Sequence, residues 1–400
     1  MTFKNIAFGD LCEEIYRYPS YYGIDYVESG IPEIRGELIQ NNGTIDLNIE
    51  NWRFIDTVTA DRFPRTTLRE DDLVMSVRGT IGKVALIPHQ LDGANMTANL
   101  LRISPNRSIV FPRYLWSYMR SDYFGQVLDH ISPSTTIKTI RVPDLKQVDV
   151  PLPPLAEQQR IAAILDKADG LRAKRRAALA KLDTLLQATF LDMFGDPVSN
   201  PMGWEEMELY KTAKKFSDGP FGSNLKTAHY TESGIQVIRL QNVGIGYLDE
   251  SDKAYISEEH FQSLPRHHCY PGDIIVGTMG DPNLRACIIP AHIEKCLNKA
   301  DCVQYRVNPQ IMNQDYACWL LNNPRTIKKA SKLSLGQTRL RISMGRLKQL
   351  VVPVPPIDKQ VIFSNTVRKH ENQKYSQETS LKHLDNLFHS LQQRAFKGEL

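Results

Sequence analysis

The chain contains one segment twice. The first copy opens at Leu145-Lys146-Gln147 and the second at Leu347-Lys348-Gln349, and the two align without a gap at a constant offset of 202. Pro151, Pro153 and Pro154 match Pro353, Pro355 and Pro356. Gln158 matches Gln360, Leu182-Asp183 matches Leu384-Asp385, and Phe194 matches Phe396. The period is too long for a solenoid unit, so the chain is a duplicated half-molecule. Each copy has a short apolar run, then a proline pair, then a stretch rich in helix-forming residues. In the first copy the apolar run covers residues 148–152, and Gly170 is the one glycine between Pro154 and the stop at Gly195 and Pro197. Proline is tolerated in a first helical turn, where its missing N–H has no partner to lose. Glycine then proline just past a helix ends it. The pattern predicts one long helix per copy, on the order of 60 Å at 1.5 Å per residue.

Both predicted helices carry a seam. Leu179, Leu182, Leu186, Thr189 and Met193 step by three and four residues, as do Leu381, Leu384, Phe388, Leu391 and Ala395. That spacing is the coiled-coil signature. In the first half of each helix the stripe turns polar, with Arg172 and Arg175 in one and Lys374 and Gln377 in the other. Such a stripe ordinarily packs on the helix's own neighbouring domain. The matched lengths favour the alternative, in which the helices pair with each other.

The segments between the repeats also echo one another. Ile31-Pro32-Glu33-Ile34-Arg35-Gly36 reads as a short strand, and Ile235-Gln236-Val237-Ile238-Arg239 repeats it. Residues 70–88 read as a turn, an apolar strand, a Gly-rich hairpin carrying Arg78 and Lys83, and a returning strand. Residues 271–290 follow the same plan. Residues 111–128 read as a helix with Tyr114, Leu115, Tyr118 and Met119 on one face, and residues 315–322 echo it. Polar loops, from Ser132 to Lys138 and from Ser334 to Arg339, lead into the repeats. The expected organisation is a module at 1–144, a helical segment at 145–196, a second module at 197–346 and a second helical segment at 347–400. The fold class is mixed α/β (α+β).

Composition is that of a globular protein, with 42% apolar and 24% charged residues. No apolar run is long enough to span a bilayer as a helix, and residues 1–20 lack a signal peptide's features. The expected location is the cytoplasm. There are six cysteines and no C-x-x-C, which suits reduced, partly buried thiols. His267-His268-Cys269 with Cys287, Cys296 and Cys302 matches no familiar zinc spacing. The formal net charge is +4, with −3 in residues 1–140, +1 in residues 201–340 and the surplus of +6 in the repeat segments. This permits nucleic-acid binding without demanding it.

Chemistry motifs are missing. Neither Pro-Pro pair has the preceding Asn or Asp and following aromatic with which an amino-methyltransferase grips a base. No G-x-x-x-x-G-K-[ST] phosphate loop occurs. The [DE]-x-K string Asp144-Leu145-Lys146 falls at the repeat junction, where its mate begins with Arg346. The Gly-rich string Arg78-Gly79-Thr80-Ile81-Gly82-Lys83 has the composition to cradle a phosphate.

Two divergent modules, each followed by a P-x-P-P-[LI]-x-x-Q segment and a long helix, and each with a D-[LI]-[VI] strand before a Gly-rich hairpin, resemble the specificity subunits of type I restriction-modification systems. The resemblance covers essentially the whole chain, although residues 365–379 of the second helix are more polar than their mate. It implies two target recognition domains that each read half of a bipartite duplex DNA sequence. It also implies two long helices that pack antiparallel, hold the domains apart and set the spacer. The subunit itself is implied to be non-catalytic and to have no membrane partner. It would recruit two modification subunits, which bind S-adenosylmethionine and methylate adenine at N6, and two restriction subunits, which use ATP and Mg. Groove reading needs Arg, Lys, Asn and Gln on loops. The candidates are Arg35, Arg78, Lys83 and Lys138 in the first module, and Arg239, Gln241, Asn242, Asn283, Arg285, Gln337 and Arg339 in the second. Leu179, Leu182, Leu186, Leu381, Leu384, Phe388 and Leu391 are the candidate helix-pairing residues. A stand-alone nuclease predicts DNA turnover by the chain alone with Mg²⁺. A scaffold, or an orphan relative without restriction partners, predicts helix pairing, and the scaffold predicts no sequence preference.

Overall fold

A computed structural model of the chain describes residues 3–17, 24–78, 80–132, 139–334 and 340–400. The chain divides into two compact units, each discontinuous in sequence: Met1–Ala177 with Glu378–Leu400, and Ala178–Gln377. The predicted helices are both present, at Leu155–Phe194 and Ile357–Lys397, with 40 and 41 residues. Each unit therefore contains the first half of one long helix and the second half of the other.

The first unit holds an antiparallel four-stranded sheet in the order Cys12–Arg17, Leu100–Pro105, Leu73–Ser76, Val84–Leu86. A second sheet has Ile31–Ile34 between Arg53–Ile55, antiparallel, and Asn95–Met96, parallel. The second unit repeats this. Ala213–Ser217, Cys302–Val307, Ile274–Gly277 and Arg285–Ile288 form the four-stranded sheet. Ile235–Ile238 again pairs antiparallel with Tyr255–Ile256 and parallel with Cys296–Asn298, in a sheet widened to five strands by Tyr230–Thr231 and His268–Cys269.

The duplicated proline segment forms a strand in each unit. Asp149–Leu152 pairs with Lys4–Ala7, and Val351–Val354 with Glu205–Glu208. Both ladders have two strands only, so the prolines sit where a missing N–H is tolerated. The repeated glutamine explains why the segment is kept in register with its module. Gln158 donates to Ile109 O at 3.1 Å and Pro153 O at 2.8 Å, and accepts from Phe111 N at 2.7 Å. Gln360 does the same with Ile311 O at 3.0 Å, Pro355 O at 2.7 Å and Asn313 N at 2.8 Å. Both side chains are fully buried. Tyr114 and Tyr316 add a matched bond each, to Pro151 O at 2.6 Å and Pro353 O at 3.0 Å. Replacing Gln360→Leu keeps the volume but leaves three backbone groups without partners. The expected loss is about 1–3 kcal/mol for each group that water cannot reach, read as a lower urea midpoint for the second unit. An unchanged midpoint would contradict this role.

The helices pair antiparallel within each unit. In the first, Arg172 Nε and Arg176 Nη2 meet Asp385 Oδ1 at 2.6 and 2.9 Å, and the Arg172 guanidinium lies 4.2 Å from the Phe388 ring centroid. In the second, Lys374 Nζ meets Asp183 Oδ1 at 2.8 Å, and His370 Nε2 lies 2.7 Å from Leu182 O. Arg172–Asp385 and Lys374–Asp183 are the same pair under the repeat. The polar half of each helix thus faces the more apolar half of its mate. Leu186 and Phe388 are buried, while Leu179, Leu182, Leu381, Leu384 and Leu391 are half-buried. At the helix ends Phe190 and Phe194 in one unit, and Ala395 and Phe396 in the other, pack into the cores of the modules.

The helix expected over residues 111–128 is two helices, Pro112–Met119 and Asp122–Ile131. Ser121 breaks it: its hydroxyl accepts from Phe124 N at 3.3 Å as an N-cap, with extended backbone. In the second unit Asn323 and Pro324 make the corresponding break between Gln314–Asn322 and Pro324–Ser331. Cys269, Cys287, Cys296 and Cys302 lie in one apolar cluster with Ile275 and Ile289. Burial pushes the Cys302 thiol up to about 12. Among the described residues no group of three or more His, Cys, Asp or Glu side chains is arranged to hold a metal, and no helix is long and apolar enough to cross a membrane.

Candidate nucleic-acid interface

In each unit an arginine directly follows the parallel-paired strand. Arg35 and Arg239 have extended backbone, at φ −117° and −106°, and each begins a short 3-10 turn. Arg35 Nη2 donates to Asn51 O at 2.8 Å and Nη1 meets Glu37 at 2.9 Å. Arg239 Nη2 donates to Asp252 O at 2.9 Å and meets Asp252 Oδ1 at 2.8 Å. In both, Nε is buried without a hydrogen-bond partner, and the side chains are 18% and 19% exposed. Gln241 is exposed and donates to Asp252 Oδ2 at 3.1 Å. The bonds from Arg239 and then Gln241 hold the Asp252 carboxyl below its usual range. Asn242 is buried: its Oδ1 accepts from Arg239 N at 2.9 Å, and its amide donates to Asp249 O and Asp252 O. It fixes the turn from within.

Each Gly-rich hairpin turns one cation inward, Lys83 in the first unit and Arg285 in the second. Arg285 donates to Val243 O at 2.6 Å, Leu240 O at 3.0 Å and Pro282 O at 3.1 Å. It bolts the hairpin to the loop that follows Arg239. Lys83 occupies the matching position and reaches the matching carbonyl, Ile39 O, at 3.5 Å. Asn283 is buried and donates to Ser334 Oγ. Arg78 is exposed. It lies near Arg17, whose proton affinity is lowered by burial and then by the Arg78 charge. Two cations in one place suit a phosphate oxygen. Sequence reasoning missed Arg17, because nothing local marks the end of its strand as a place where charge converges. Its counterpart in the second unit is Asp218, whose carboxyl is pushed up by burial. Lys138, Gln337 and Arg339 lie outside the described residues.

The sequence candidates therefore divide. Lys83, Asn242, Asn283 and Arg285 brace the loops, whereas Arg35, Arg78, Arg239 and Gln241 present polar groups at the surface. Two units with the same frame, each bearing cationic and amide groups on braced loops, define the chain as a duplicated protein built on a helix pair.

Comparison with known proteins agrees. Residues 3–181 match the model of the family described as "Type I restriction modification DNA specificity domain". The specificity subunit of the Escherichia coli type I restriction enzyme EcoBI is 29% identical over 184 residues, 44% of this chain and 38% of that subunit's length. The EcoKI specificity subunit of Escherichia coli K12 is 21% identical over 388 residues, 88% of this chain and 81% of that subunit. Among solved structures, one described as showing complex assembly and conformational transition of the type I R-M system matches with a TM-score of 0.65 at 18% identity. That match covers 100% of this chain and 98% of the other. The type I S subunit from M. genitalium matches with a TM-score of 0.55 at 14% identity over 99% of this chain and 96% of that one. Residues 3–181 thus match a type I restriction-modification DNA specificity domain, and the chain as a whole is similar to type I specificity subunits. Subunits of this family are non-catalytic components of their complexes.

Proposed function

We propose that this chain is the sequence-reading subunit of a type I restriction-modification complex, with one half of a bipartite duplex DNA target read by each module. The recognition domains are residues 1–144 and 197–346, and the helical segments 145–196 and 347–400 set the spacing between half-sites and dock methyltransferase subunits. The partners are duplex DNA, two modification subunits and two restriction subunits. S-adenosylmethionine belongs to the modification subunits, and ATP and Mg to the restriction subunits. The observation that supports this reading best is the recurrence of one loop frame in both units, with Arg35 and Arg239 at its matched positions. A phosphate contact positions the protein and carries no sequence information, whereas an arginine at a base edge does.

Replacing Arg239→Ala in the complex with its modification subunits is expected to relax discrimination at one half-site by about 1–3 kcal/mol. Discrimination at the other half-site is expected to be unchanged. Competition binding against duplexes altered in one half-site at a time reads this. Equal loss at both half-sites would contradict independent reading.

A further inference from the structure

The two units share a frame but end it differently. After Arg35 and Arg239 the chain makes a 3-10 turn and then a tight loop closed by an antiparallel bridge. The bridges are Ile39↔Ile45 in the first unit and Val243↔Leu248 in the second. Lys83 and Arg285 hold the first bridge residue of each by its carbonyl. Each tip is anchored a second time: Trp116 Nε1 donates to Gly43 O at 3.1 Å, and Gly246 N donates to Ala286 O at 2.9 Å. Gly43 and Gly246 have φ of +77° and +82°, a left-handed conformation that turns the chain sharply at each tip.

The residues that these anchored tips expose are of opposite character. The first tip is Gln40-Asn41-Asn42-Gly43-Thr44, with both asparagines exposed. Asn42 Oδ1 accepts from Thr44 N at 3.1 Å and Thr44 Oγ1 at 2.7 Å, which fixes the side chain and leaves its NH2 as a donor. The second tip is Gly244-Ile245-Gly246-Tyr247, with Ile245 52% and Tyr247 62% exposed. An anchored loop that holds a large aliphatic and an aromatic side chain in water gains nothing for its own fold by doing so.

We propose that these two tips are further base-reading elements of the units, beside Arg35 and Arg239, with the 40–44 tip reading by amide hydrogen bonds and the 244–247 tip by apolar contact with thymine methyl groups. This rests on the DNA-reading function proposed above. An asparagine amide matches the N6 donor and N7 acceptor of adenine in the major groove, and the thymine methyl is the apolar feature of that groove. The 244–247 tip has no side-chain amide, and the 40–44 tip has no large apolar side chain.

The test uses the complex of this chain with its modification subunits and the duplex target that it methylates. Each target adenine is replaced in turn by 7-deazaadenine, which lacks N7, and each thymine by uracil, which lacks the methyl. The expected result is a loss of about fivefold to a hundredfold for a 7-deazaadenine in one half-site and for a uracil in the other. Asn41→Ala with Asn42→Ala should abolish the first sensitivity only. Ile245→Ala with Tyr247→Ala should abolish the second only. All four side chains are exposed, so the variants should fold. A complex that prefers its target but whose analogue sensitivities survive these substitutions would overturn this inference and leave the function intact. A wild-type complex with no sequence preference would overturn both.

Discussion

A Phe396→Ala variant is expected to lose the Met1–Ala177/Glu378–Leu400 unit while Ala178–Gln377 stays folded. Phe396 comes from the end of the second long helix, yet its ring sits 5.7 Å from Tyr114 and 5.3 Å from Tyr118, both fully buried. Truncating a buried phenylalanine costs about 3–5 kcal/mol through lost transfer energy and the cavity left behind. That is a large share of the stability of an ordinary domain. Phe194, its mate under the repeat, lies 4.7 Å from Tyr316 and 5.4 Å from Phe363 in the other unit. Phe194→Ala should reverse the outcome. Hydrogen exchange followed by mass spectrometry checks both: protection at Pro112–Met119 should fall in the first variant and at Gln314–Asn322 in the second. Equal loss in both helices for either variant would contradict the division into two units.

Asp273→Ala is expected to destabilise the second unit by about 1–3 kcal/mol for each buried donor it strands, the fully buried Gln304 amide first, while the partly exposed Arg306 can turn to water. The Asp273 carboxylate is 2% exposed and accepts from Arg306 Nε at 2.6 Å, Arg306 Nη2 at 2.9 Å, Gln304 Nε2 at 2.6 Å and Tyr270 N at 2.9 Å. Asp72 is its counterpart, bonded to Arg102 Nε at 2.7 Å, Ser104 Oγ at 2.7 Å and Arg69 N at 2.9 Å. Each aspartate sits just before the strand that leads into a Gly-rich hairpin. Its loss should therefore loosen the hairpin cation, Lys83 or Arg285, that braces the loop after Arg35 or Arg239. Thermal unfolding of the single variants reads the cost. An Asp273→Ala protein as stable as the parent would refute the stranded-donor argument.

Much of the architecture was legible because it repeats. The constant offset in the proline-glutamine segment marked the duplication, and the long helices followed from composition and punctuation. The D-[LI]-[VI] string marked the hairpin strand correctly, although only the structure shows why the first residue is an aspartate: three neighbouring donors converge on it. What could not be read depends on distant backbone. The pairing of Lys4–Ala7 with Asp149–Leu152 joins segments on opposite sides of the first module. Ser121 looked like an ordinary helical residue until its cap was visible. Lys83 and Arg285 looked like surface cations, but their acceptors are main-chain carbonyls on another loop, which no side-chain pattern announces. Near the end of the first helix the seam residues Thr189 and Met193 are only partly buried and their neighbours Phe190 and Phe194 fill the core, whereas in the second helix the seam residue Ala395 is itself in the core.

The recognition role itself is tested most directly by methylation-sensitive long-read sequencing of cells that express this chain with its modification subunit. The expected result is a bipartite motif with a modified adenine in each half, lost when this chain is deleted. No new motif, despite stable co-purification of the two subunits, would contradict sequence reading and leave a scaffold.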